Sequence, residues 1–73
     1  MITIKLQADS MVFKDVTAKI KQEILDTCDK IRYSRLTPVL HEQKGKDLIV
    51  TADHTDLYWL MFSLSFKFDI EII

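Results

Sequence analysis

The chain has 73 residues, 48% of them apolar and 29% charged, and a formal net charge of −1. That length excludes a second domain and limits the core, because a fold of this size buries only about 60% of the surface its unfolded chain exposes. The charged fraction argues against disorder, and the longest apolar run, Leu57 to Phe62, is six residues, far short of the roughly 20 needed to cross a bilayer.

The first six residues, Met1-Ile2-Thr3-Ile4-Lys5-Leu6, alternate as a half-buried strand does and lack the charged leader and apolar stretch of a secretory signal. A single cysteine, Cys28, permits no internal disulfide, in keeping with a reducing compartment. A cytoplasmic location is therefore expected. After the strand, Asp9 and Ser10 offer side-chain acceptors suited to ending it or capping a helix.

From Phe13 the period changes. Phe13, Val16, Ile20, Ile24, Cys28 and Ile31, with Leu25 beside them, fall at three- and four-residue steps and predict an amphipathic helix with one apolar stripe. Leu36 to Glu42 reads as a second strand, Gln43-Lys44-Gly45-Lys46 as a hairpin turn and Leu48 to Ala52 as a third strand. Pro38 cannot donate to a ladder, which puts its strand at a sheet edge. Asp53, with Asp56 three residues on, imitates a capping box at the start of a short helix that runs to about Leu64. Finally Leu64, Phe66, Phe68, Ile70 and Ile72 alternate with Ser65, Lys67, Asp69 and Glu71, the pattern of an amphipathic strand.

The resulting order, β-α-β-β-α-β in a single α+β domain over residues 1–73, predicts a ferredoxin-like arrangement: a four-stranded antiparallel sheet with two helices on one face. That topology hosts many functions and specifies none. Sheet edges in it are the second and last strands.

Chemistry-bearing constellations are absent from the sequence. His41, His54 and Cys28 match no zinc-binding spacing, so no metal or other cofactor is expected. The serines lack a nucleophile elbow, and one glycine in the whole chain leaves no loop to cradle a phosphate. The pairs Asp53/Asp56 and Asp69/Glu71 are accounted for by capping and by one solvated strand face. An enzyme is not expected.

Two binding surfaces remain, and a third is weaker. If Leu57, Leu60, Met61 and Leu64 face the sheet at helical steps, Tyr58, Trp59 and Phe62 are left on the other side, and such rings are the residues that most often carry interface energy. The terminal strand, with Phe66, Phe68, Ile70 and Ile72, is an unprotected edge that can pair with a partner strand or a second copy. The third surface is basic. Lys30, Arg32, Arg35, Lys44 and Lys46 against Glu42 give residues 30–46 a net charge of +4, and residues 47–73 carry −4. This segment can touch nucleic-acid phosphates, but the outward residues Thr3, Lys5, Gln7, Ile49 and Thr51 include no ring on which a base would stack.

The expected function is thus a non-catalytic protein–protein interaction module, an inhibitor or adaptor of the kind a phage or mobile element carries. Its partner is another protein or a second copy of the chain, and no membrane is involved. The alternative is a nucleic-acid-binding module built on residues 30–46.

Overall fold

The computed structural model describes residues 1–35 and 39–73, and of residues 31–35 only the backbone. Among the described residues seven elements follow in order: β1 (Ile2–Leu6), β2 (Ser10–Lys14), α1 (Ala18–Arg35), β3 (Leu40–Lys44), β4 (Asp47–Thr51), α2 (His54–Ser65) and β5 (Ile70–Ile72). The class is α+β, with one five-stranded sheet in the order β3-β4-β2-β1-β5. All pairs are antiparallel except β1 with β5, which run parallel. The expected four-stranded antiparallel sheet is therefore corrected to five strands and a mixed sheet.

The additional strand is β2, in a stretch expected to open the first helix. Gln7 donates its N–H to the Ser10 carbonyl at 3.0 Å, and the Ser10 hydroxyl donates to Gln7 Oε1 at 2.9 Å. That loop turns the chain back so that Ile4 faces Phe13 and Leu6 faces Met11. On its other side β2 pairs with β4, Met11 against Val50 and Phe13 against Leu48. Phe13 is thus a central strand residue, not the first residue of a helical stripe. The helix starts later, capped by Thr17, whose hydroxyl oxygen accepts the Ile20 N–H at 3.2 Å. Neither Asp9 nor Ser10 serves that purpose.

Ile2, Ile4, Met11, Phe13, Leu48 and Val50 share one sheet face and meet Ile24 and Cys28 of α1 and Leu57, Leu60 and Leu64 of α2 in a single buried cluster. Burial, with a smaller contribution from Asp29, pushes the Cys28 thiol up to about 12, so it stays protonated and inert in the core. The remaining Ile31 of the expected stripe and the start of the expected second strand, Leu36 to Pro38, lie outside the described residues or side chains. β3 itself begins at Leu40, and every one of its residues is exposed.

Lys44 pairs with Asp47, leaving Gly45 and Lys46 as a two-residue hairpin loop, one position later than expected. Gly45 has φ +58° and Lys46 a negative φ, the sign pattern of a type II′ turn. A Cβ at Gly45 would meet nothing within 4 Å, so only the backbone preference resists it. Gly45→Ala is expected to lower the unfolding free energy by about 1 kcal/mol, read as a shift in urea midpoint without a change in slope.

Beside this turn, Lys14 and Asp47 form an ion pair, Nζ to Oδ2 2.7 Å, with side chains 39% and 27% exposed. Asp47 Oδ1 also accepts the Asp15 N–H at 3.1 Å. The hydrogen bond from Lys14, that backbone donor and the lysine's charge hold the Asp47 carboxyl below its usual value, and the same pair holds Lys14 above its own. The depressed carboxyl contributes stability above the unfolded aspartate pKa of about 3.9, lost as pH falls through the folded value. The raised lysine contributes stability below the unfolded lysine pKa of about 10.4, lost as pH rises through the folded value. Asp47→Asn is accordingly expected to destabilise most between those limits, and urea melts of the two proteins should converge at acidic pH and draw closer, without fully converging, at alkaline pH, where the Asp15 N–H still bonds the carboxylate.

Candidate functional site

α2 runs through the aromatic segment, as its helical spacing implies. Leu57, Leu60 and Leu64 are buried, and Met61 is half-buried. Asp53 occupies the N-cap position with its carbonyl accepting the Leu57 N–H at 2.9 Å, yet its side chain makes no capping bond, so the Asp53 half of the expected capping box does not form. Asp56, the other member, is instead buried in the first turn, where a carboxylate is favoured by the positive end of the helix.

Tyr58, Trp59 and Phe62 project from the opposite side, 65%, 50% and 53% exposed, and Phe66 just beyond the helix is 76% exposed. Trp59 and Phe62 meet edge to face with centroids 5.9 Å apart, and Phe62 and Phe66 do the same at 4.9 Å. The outer face of α2 therefore carries a continuous ladder of rings. At roughly 200 Å² per aromatic side chain, these exposures amount to about 500 Å² of apolar surface, toward the upper end for the largest patch on a monomer.

The terminal strand is shorter than the alternation from Leu64 implied. α2 continues to Ser65, and the Lys67 and Phe68 N–H groups both donate to the Leu64 carbonyl, at 3.0 and 2.9 Å, closing the helix in a turn. Phe66 and Phe68 thus belong to that turn and not to a strand edge; Phe68 is partly buried against the core. Ile70 and Ile72 do lie in a strand, β5, and that strand is a sheet edge. Lys67 reaches back to Glu23 of α1, Nζ to Oε2 3.2 Å.

The ring ladder and the strand, two separate surfaces in the sequence, are two walls of one groove. A cavity of about 590 Å³ lies between α2 and β5, lined by Tyr58, Trp59, Met61, Phe62, Ile70 and Ile72. A smaller one of about 230 Å³ continues toward Leu6 and His54, with Tyr58 and Met61 shared by both. Thr55 and Ser65 also line the larger cavity; both were missed, although their three- and four-residue steps from Tyr58, Trp59 and Phe62 place them on the same helical face.

Of the basic segment, Lys30 is not brought together with Lys44 and Lys46 in this way. Val16 donates its N–H to the Lys46 carbonyl at 2.8 Å, so Lys44 and Lys46 sit at the end of the molecule where α1 begins. Lys30 lies 12 residues into α1, about 18 Å along its axis. The side chains of Arg32 and Arg35 are outside the described set. On the open sheet face, Thr3, Lys5, Val12, Lys14, Ile49 and Thr51 share one side, and no aromatic ring joins them among the described strands.

Among the described residues no helix is long and apolar enough to cross a membrane. Comparison with protein-family models, with curated proteins and with solved structures finds no match to this chain.

Proposed function

We propose that the chain is a non-catalytic protein-binding module, of inhibitor or adaptor type, whose docking surface is the groove between α2 and β5. One observation carries this reading: Tyr58, Trp59, Phe62 and Phe66 stand exposed side by side, while the core-facing side of the same helix is already supplied by Leu57, Leu60 and Leu64, with Met61 partly buried beside them. Rings left in water at that density contribute little to the fold and much to a contact that desolvates them. The area is well over half of the roughly 800 Å² that one side of a standard interface buries.

The test compares affinity capture from the native host lysate by the tagged chain and by its Trp59→Ala/Phe62→Ala variant. Partners retained by the parent and lost by a variant with an unchanged circular dichroism spectrum support the reading. Unfolding of the variant would assign the rings to the core, and unchanged capture would place the contact elsewhere. Salt-sensitive binding of single-stranded RNA or DNA, lost on neutralising Arg32, Arg35 and Lys44, would favour a nucleic-acid partner instead.

A further inference from the structure

The Ile2 N–H donates to the Asp69 carbonyl at 2.7 Å and the Ile73 N–H to the Ile4 carbonyl at 2.9 Å. Residues 69, 71 and 73 therefore turn their backbone groups toward β1, and strand alternation turns those of Ile70 and Ile72 to the open edge. Side chains alternate in the same way. Ile70 and Ile72 pair with Ile2 and Ile4 on the helix-covered side and line the groove. Glu71 pairs with Thr3 on the other side, where Asp69 precedes it by two. Both carboxylate residues are exposed, β5 contains no lysine or arginine, and Lys5 stands on that side one strand further in.

A strand laid along β5 would thus meet an apolar trough on one side and two carboxylates on the other. Resting on the reading of the groove as a protein-docking surface, we propose that its occupant is an extended segment of a partner protein that alternates apolar and basic side chains. Its backbone pairs with the outward groups of Ile70 and Ile72, its apolar residues enter the trough, and its lysines or arginines face Asp69 and Glu71. Charge disfavours a second copy at this position relative to a basic strand. An antiparallel copy of β5 would bring its own Asp69 and Glu71 against the same pair, and like charges directly opposite on a sheet are destabilising.

The full chain, immobilised, is panned against a library of random 12-residue peptides, in parallel with the variants Asp69→Lys/Glu71→Lys, Trp59→Ala and Ile72→Pro, each checked for fold by circular dichroism. The parent is expected to enrich peptides with lysine or arginine at every second position and apolar residues between. The charge-reversed variant is expected to enrich aspartate or glutamate there and to bind the parent's peptides about tenfold more weakly. Trp59→Ala should weaken them about thirtyfold, and Ile72→Pro, which removes an outward N–H and leaves the bonds to β1, should abolish binding. Peptides without a basic excess, peptides indifferent to charge reversal, an empty selection, or a concentration-dependent dimer dissolved by Trp59→Ala would each overturn the proposal. If the selection fails while Trp59→Ala/Phe62→Ala still removes partners from the lysate, strand addition is wrong and the protein-binding reading stands. If both fail, that reading goes as well.

Discussion

Phe13→Ala is expected to cost about 3–5 kcal/mol of unfolding free energy. The ring is fully buried in a central strand, with Ile4 opposite on β1 and Leu48 opposite on β4. Its removal leaves a cavity that two helices and three strands would have to collapse to fill. At roughly 0.05–0.15 kcal/mol per residue, a chain this short has about 4–11 kcal/mol in total, so the loss ranges from a large fraction to all of it. Urea unfolding followed by circular dichroism measures it. A cost below about 1 kcal/mol, as expected for a ring on the frayed first turn of a helix, would contradict the strand placement.

The second large effect is a separation of binding from folding. Trp59→Ala/Phe62→Ala removes both edge-to-face contacts, worth about 0.5–1.5 kcal/mol each, and at half-exposed positions the folding cost should lie near the lower figure. The affinity for a partner seated in the groove should fall by about 2 kcal/mol or more per ring. Leu60→Ala reverses the pattern: its side chain is buried under the same helix, so about 2–5 kcal/mol of folding stability is lost. Parallel urea melts and titrations of the three proteins against one captured partner distinguish the two classes.

Much of this arrangement was legible in the residues, and the failures have definite causes. β1 shows clean alternation because one of its faces is solvated. α2 was recoverable because Leu57, Leu60 and Leu64 keep helical spacing beneath the rings. β2 was not: as a central strand with Ser10, Met11, Val12 and Phe13 all buried, it shows no alternation, and the chance steps from Phe13 to Val16 and Ile20 imitate a helix. That missing strand also explains the topology. Inserted between β1 and β4 and antiparallel to both, it changes the direction in which β1 runs through the sheet, and β5 lies on β1 in parallel. The alternation through Phe66 and Phe68 misled in the other direction, since a helix end and a turn can place rings at period two without any ladder. That the helix face and the strand edge form a single groove was beyond sequence, because it depends on which neighbour β5 chooses.

The parallel pairing of β5 has a dynamic consequence. It joins Ile2 to Ile70, partners almost the whole chain apart, and holds only three residues against one neighbour. Its detachment should be the lowest-energy local opening of the sheet, so the Glu71 and Ile73 amides should exchange with deuterium well before those of Met11 to Phe13, which open only with the whole molecule. The wall of the groove would then be its loosest part, and a seated ligand would register first as slowed exchange at those two amides.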